Sequence, residues 1–266
     1  MELKILNATN QSVGTKKLPG AFDEPVRKDL IQRAVEVVQA NRRQPYGADP
    51  RAGKKAAAKL SRRRRKYKGS YGKGISRVPR KTLSRNGSQM YWVGAFAPGM
   101  VGGRRSFPPG ADKDWSKSIN VKERRKAIRS ALAATVNKAI VQQHGHRVPD
   151  TYPFLIDTSF ETLDTAKKVR DALENLNLTA ELDRAGEKKV RAGTGKMRGR
   201  RYQKKVGPLL VVSGPCKLVQ SARNLAGVDV VSADRLNAEL LAPGAKPGRL
   251  TLYTSAAIEK LEKLFA

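Results

Sequence analysis

The 266-residue chain is short of the residues that carry most covalent and redox chemistry: it has one cysteine and two histidines. A lone thiol, Cys216, excludes an internal disulfide and a cysteine metal cluster. It follows an apolar, strand-like run and reads as a buried, inert thiol. Acids are scarce as well, 23 Asp and Glu against 54 Lys and Arg, for a net charge of +31. That surplus exceeds what solubility needs and implies a polyanionic partner. Long apolar runs are also missing. No stretch nears the ~18 residues of a spanning helix, and the amino terminus, MELKILNATNQ, lacks the basic-then-apolar layout of a signal peptide. No membrane is expected as a partner, and the chain is read as cytoplasmic.

Catalytic motifs fail in the same way. AGTGKM (192–197) contains Gly-Lys, but a phosphate-binding P-loop needs Gly where Val190 stands and Ser or Thr where Met197 stands. GSYGKG (69–74) lacks the dinucleotide-binding glycine spacing. His144 and His146 flank Gly145 with no carboxylate or Cys nearby in sequence, so they read as solvated imidazoles at a helix end. Asp157 sits where a catalytic acid could stand, but a cap for the following helix is the simpler reading. No catalytic residue, metal, cofactor or small-molecule substrate is expected.

What is present is charge, and it is concentrated. Residues 42–85 hold 17 basic residues against Asp49 alone, and residues 187–205 hold nine against Glu187. Those 63 residues carry +24 of the +31, so the remaining 203 resemble an ordinary globular protein. Within LSRRRRKYKGSYGKGISRVPRK (60–81), ten of 22 residues are basic and none is acidic. Such a segment cannot bury enough apolar surface to offset its ordering entropy. Phosphates can neutralise it, with counterion release driving association. Tyr67, Tyr71, Tyr91, Trp92, Phe96 and Trp115 are interleaved with glycines, a mixture suited to irregular RNA, where aromatic faces and Arg planes stack on bases.

Around these segments the pattern is regular. Residues 23–40 read as a helix with Asp23 as cap and Pro25 in the first turn. Residues 120–143 read as another, with Asn120 and Glu123 as a capping box and a cationic first half that disfavours the helix dipole. Beyond Pro153, PFLID, LTAEL (178–182), PLLVVS (208–213), VDVV (228–231) and RLTLYT (249–254) read as strands. The helices between and after them run over 163–176, 217–225, from a Ser232 cap, and from a Ser255 cap. Alternating apolar strands and helices predict an α/β fold: a mostly parallel sheet with helices on both faces. The expected organisation is one α/β domain over 1–266, interrupted by a long extended loop at 42–118 and a second basic loop at 187–205.

GGRRSFPP, INVKERRKAIRSALAAT, RAGTGKMRGRRYQKKVGPLLVV and ARNLAGVDVVSADRLNAELLAPGAKPGRLTLYT, in that order, resemble the large-subunit ribosomal protein L-four family, in its archaeal and eukaryotic branch. The absence of a long extension after AAIEKLEKLFA makes the chain most similar to an archaeal member. The resemblance implies a structural constituent of the large ribosomal subunit. Its partners would be large-subunit ribosomal RNA, other large-subunit proteins and, through a loop lining the exit tunnel, the nascent peptide. It implies RNA contacts at Arg42, Arg43, Lys54, Lys55, Arg62, Arg63, Arg64, Arg65, Lys66, Lys68, Arg104 and Arg105. Further contacts are implied at Lys122, Arg124, Arg125 and Arg129 on the basic helix, and at Arg191, Lys196, Arg198, Arg200 and Arg201 in the second loop. The tunnel-facing stretch would carry Gly72, Lys73, Gly74, Arg77, Arg80, Lys81 and Arg85; GKGISR (72–77) does not closely match the bacterial Gly-Thr-Gly-Arg run.

Two other classes compete. An RNA-modifying enzyme would need a small-molecule site at the carboxyl edge of the sheet, where the glycine motifs fail. A chromosomal DNA-binding protein would share the charge, although Gly- and aromatic-rich internal inserts suit folded RNA better than duplex grooves.

Overall fold

Leu209, Leu210, Val211 and Val212 are all buried, as a strand covered on both faces requires. They form the heart of a six-stranded sheet. The structure, a computed structural model, describes residues 1–52, 55, 58, 60–66, 69–87 and 89–265. The chain opens with β1 (Glu2–Leu6), β2 (Ser12–Lys17) and α1 (Lys28–Asn41). An antiparallel ribbon, β3 (Arg80–Asn86) and β4 (Gln89–Gly94), precedes α2 (Val121–Val136) and α3 (Lys138–Gln143). Next come β5 (Leu155–Ile156), α4 (Ala166–Asn175), α5 (Thr179–Gly186) and a short ribbon of β6 (Lys188–Val190) and β7 (Tyr202–Lys204). The chain then runs through β8 (Leu209–Val212), α6 (Lys217–Ser221), β9 (Asp229–Ser232), α7 (Ala238–Leu241), β10 (Thr251–Thr254) and α8 (Ser255–Phe265).

The large sheet has the order β2-β1-β5-β10-β8-β9. Only the β1–β2 pairing is antiparallel; the other four are parallel. Because side chains alternate across a strand, Leu155, Leu209, Val211 and Tyr253 pack on one face with Ile31 and Val35 of α1, Leu132 of α2 and Ile258 and Leu261 of α8. Ile156, Leu210, Val212 and Leu252 pack on the other with Val169 and Leu173 of α4 and Leu218 of α6. Each fully buried Leu or Ile contributes ~1.5–3 kcal/mol relative to exposure. The α/β reading with helices on both faces therefore holds.

Several local expectations fail. LTAEL is not a strand but the start of α5, because helical spacing puts Leu178, Leu182 and Ala185 together against the core and turns Glu181 inward with them. Helix α1 begins at Lys28, so neither Asp23 nor Pro25 serves it. Residues 120–143 form two helices: Asn137 leaves helical geometry (φ −84°, ψ 105°) and its side chain caps α3 at Ala139 N, 3.1 Å. Asn120 and Glu123 make no capping box; Glu123 instead accepts from Arg33 at 3.3 Å. Ser232 gives no cap bond; Asn237 caps α7 at Leu240 N, 2.9 Å. Thr254, not Ser255, meets the first turn of α8, accepting from Ala257 N at 3.2 Å. The two amino-terminal strands and both ribbons, unread in the sequence, are additions.

The chain divides into two compact units, residues 1–42 with 116–266, and residues 43–115. The first unit is closed where the second departs and returns: Lys117 N donates to Asn41 Oδ1 at 2.9 Å. The second holds β3 and β4, with a register shift at Leu83, and no helix among its described residues.

Candidate nucleic-acid interface

At the root of the 43–115 unit, Ala48 N donates to the Pro109 carbonyl at 3.0 Å. There the Tyr46 and Trp115 rings stack at 5.5 Å, and the Arg43 guanidinium lies 3.8 Å from the Trp115 centroid. Lys113 approaches the same ring at 4.3 Å. Residues some 70 positions apart are thus joined by cation–π contacts rather than by apolar burial. Further along, Trp92 is faced by Lys73 at 5.0 Å and Arg80 at 5.5 Å. Tyr71 is faced by Arg64, which also donates to its hydroxyl at 2.7 Å, and by Arg77. Of the aromatics read as stacking platforms, Trp92, Trp115 and Tyr71 already carry cations of this chain. Tyr91 and Phe96 stay more than half exposed. Tyr67 lies outside the described residues.

The cations sort by partner. Arg62, Arg63, Arg65 and Lys66 are exposed and meet no carboxylate among the described residues. Lys55 pairs with Asp49 at 2.7 Å, and Arg42 with Glu239 at 2.9 Å. Arg104 and Arg105 line a cavity with Phe96 and Pro108. Lys54 and Lys68 lie outside the described residues. In the stretch 72–85, Gly72 (φ 74°) and Gly74 (φ 66°) adopt left-handed backbone that favours glycine. Arg80 donates to Ser76 O at 2.6 Å, Arg85 to Gly87 O at 2.6 Å, and Lys81 is exposed opposite Val93.

The 187–205 insert is a two-stranded ribbon with a self-bonded tip. Arg191 N donates to Arg201 O at 2.8 Å, while Arg198 N and Arg200 N both reach Gly195 O at 3.1 Å. The backbone thus satisfies itself, and Arg191, Lys196, Arg198, Arg200 and Arg201 all have exposed side chains. On α2, Lys122, Arg124 and Arg125 are exposed, whereas Arg129 is partly withdrawn toward Glu24 at 3.6 Å. Glu24 also faces Lys126, so it offsets part of the unfavourable charge on this helix start.

The histidines depart from the expectation. His146 is buried and its Nδ1 bonds Glu181 Oε1 at 2.6 Å, because α5 brings in a carboxylate from 35 positions away. Glu181 also accepts from Arg147 N at 2.9 Å and from Arg184 at 2.6 and 2.8 Å. Burial pushes its carboxyl up, but Arg184, then His146 and the Arg147 backbone, outweigh burial and hold it down at about 2. His144, half-buried, stacks on His146 at 5.1 Å. No signal short of the fold would have joined Glu181 to them.

The carboxyl edge of the sheet, where an α/β enzyme binds its ligand, is tied by Glu161. Its Oε1 accepts from Ser213 N at 2.9 Å and Thr254 Oγ1 at 2.7 Å, and its Oε2 from Ser213 Oγ at 2.7 Å. Asp157 caps the 3-10 turn 158–162 at Ser159 N. Cys216 is half-buried rather than buried, and burial pushes its thiol pKa up, away from a nucleophilic thiolate. Among the described residues no group of three or more His, Cys, Asp or Glu is placed to hold a metal ion. No helix among them is long and apolar enough to cross a membrane.

Fold and charge together define a class: an α/β protein that carries most of its net positive charge in two inserts. Residues 16–264 match the ribosomal protein L4/L1 family. The chain is 46% identical to large ribosomal subunit protein uL4 of Nanoarchaeum equitans over the whole of both chains. It is 43% identical to that of Methanopyrus kandleri, over 99% of this chain and 98% of the relative. Against that of Archaeoglobus fulgidus it is 41% identical, over 98% of each. The chain belongs to the ribosomal protein L4/L1 family.

Proposed function

We infer that the chain is a structural constituent of the large ribosomal subunit in the cytoplasm, that it grips ribosomal RNA through its two basic inserts, and that it catalyses no reaction. The observation that carries the RNA reading is charge placement: +24 of +31 sits in 63 residues. Five consecutive cations of these, Arg62 to Lys66, are exposed, and only Arg64 among them contacts a described side chain, Tyr71. Phosphates would relieve the repulsion that no carboxylate among the described residues relieves. Arg191, Lys196, Arg198, Arg200 and Arg201 form the second grip, and Lys122, Arg124 and Arg125 a third, smaller one. Arg42, Lys55 and Arg129 meet RNA only by sharing or leaving their acids.

The 43–115 unit is the segment that enters RNA, with Gly72 to Arg85 facing the exit tunnel and its nascent peptide. The family resemblance supports that assignment, and so does a stretch built of glycines and cations with few apolar anchors. Neighbouring large-subunit proteins complete the partners.

Sedimentation of tagged protein from lysate at moderate and high salt tests this reading. Migration with the large subunit, resisting salt that strips peripheral proteins, is the expected result. Recovery in a light fraction or with chromosomal DNA would reject it.

A further inference from the structure

A cleft of about 880 Å³ lies at the foot of the β6–β7 ribbon, between that ribbon, the 144–146 turn and the Pro243–Gly244 turn. Its walls are held from behind. Arg184, which lines it, is locked by Glu181 and also donates to Val206 O at 2.6 Å. Glu181 in turn fixes the turn through His146 and Arg147 N. The cleft is therefore pre-formed rather than a gap between mobile loops.

Part of its charge is uncompensated. Lys188 and Lys204 are direct cross-strand partners, and like charges so placed destabilise a ribbon. Lys205 is neutralised by Glu187 and Arg184 by Glu181. Lys188, Lys189 and Lys204 meet no carboxylate among the described residues. An anion in the cleft would turn a repulsive arrangement into a binding one.

The opposite wall asks for something other than an ion. His144 lines the cleft beside Pro243, and its Nε2 is buried with no partner. Burial, then the adjoining His146, lowers the His144 pKa, so the ring is neutral near pH 7. A neutral imidazole nitrogen donates or accepts according to its tautomer, so Nε2 is an unused hydrogen-bonding group. Val206 and Pro243 add apolar surface beside it. Lysines for a phosphate, apolar surface and one unused imidazole nitrogen together describe a nucleotide.

We propose that this cleft receives a single unpaired nucleotide of the bound RNA, its phosphate between Lys188 and Lys204 and a base edge or ribose hydroxyl on His144 Nε2. The proposal rests on the RNA reading above and narrows it to one pocket outside the long insert. A base within a duplex cannot present its edge to so enclosed a group, so the nucleotide is extruded from its helix.

The test places photoreactive p-benzoylphenylalanine at position 206, on the cleft wall, and, in a separate full-length protein, at position 198, with each assembled into large subunits. Irradiation followed by reverse transcription is expected to give a stop at one unpaired nucleotide from position 206. In subunits carrying His144→Ala, or Lys188→Gln with Lys204→Gln, the base at that stop should become several-fold more reactive to dimethyl sulfate or carbodiimide. The double lysine variant touches no core residue, so its reading does not depend on packing at His144. RNA cross-links from 198 but none from 206 would overturn the cleft while leaving the RNA reading intact. So would cross-links from 206 to a paired nucleotide or to a protein. No RNA cross-link from either position would overturn both.

Discussion

Arg249 is 2% exposed, and its Nη2 donates to Asp229 Oδ2 at 2.5 Å. Its Nε reaches Gly207 O at 3.0 Å and its Nη1 reaches Leu240 O at 3.1 Å. One guanidinium thus joins the lead-in to β8, the start of β9 and α7. Burial lowers its pKa and Asp229 opposes that, so the group stays charged. Arg249→Met should cost about 3 kcal/mol, since it orphans two carbonyls and a carboxylate at once. Arg249→Lys should recover little, because one ammonium cannot span three acceptors set in a fork. Urea unfolding of the full chain reads both, and a midpoint unchanged in either variant would refute the assignment.

Glu181 predicts a defined acid window. Its carboxyl is depressed from the ordinary 4.5 to about 2, so the stability it adds is fully present above pH 4.5 and is lost as pH falls toward 2. At neutral pH that contribution is up to about 3 kcal/mol. The stability difference between the natural chain and Glu181→Gln, from denaturant curves at stepped pH, should shrink across that window. A difference independent of pH would show that the loss comes from packing alone.

The Asn41–Lys117 contact predicts that residues 43–115 can be excised. Joining Arg42 to Ser116 through a short glycine linker should leave the first unit cooperatively folded, since both of its core clusters are built from residues of that unit. Loss of a cooperative thermal transition in the shortened chain would contradict this.

Salt dependence measures the grip. If about six to ten cations meet phosphates, affinity for a folded large-subunit RNA fragment should fall with a log–log slope of about −5 to −9. Replacing Arg62, Arg63, Arg64, Arg65 and Lys66 by Gln should flatten that slope by about 3 to 5. An unchanged slope would place the contacts elsewhere.

The strands that were legible are those buried on both faces: Leu209–Val212 stands out as an uninterrupted apolar run, and Thr251–Thr254 as a β-branched and aromatic one. Helix α5 was misread because five residues, LTAEL, fit a period of two as well as 3.6; a buried Glu181 argued for neither until Arg184 and His146 were seen around it. The β6–β7 ribbon was invisible for a different reason. Its residues are exposed throughout, so no burial pattern is written into them. Charge alone marked the inserts, and charge reports which side chains seek a partner but not how the backbone holds them. Arg43 shows the limit: read as an RNA contact, it lies against Trp115.

The order β5-β10-β8 places the last strand of the chain in the middle of the sheet. Until Thr251–Thr254 is made, β5 and β8 have no common neighbour, and Tyr253 is missing from the core. At ~5–20 residues per second, the first basic insert is therefore in water for roughly ten seconds or more before the domain that carries it can close. During synthesis this chain is a polycation first and a folded protein second, and whatever RNA or shield it meets in that interval meets it unfolded.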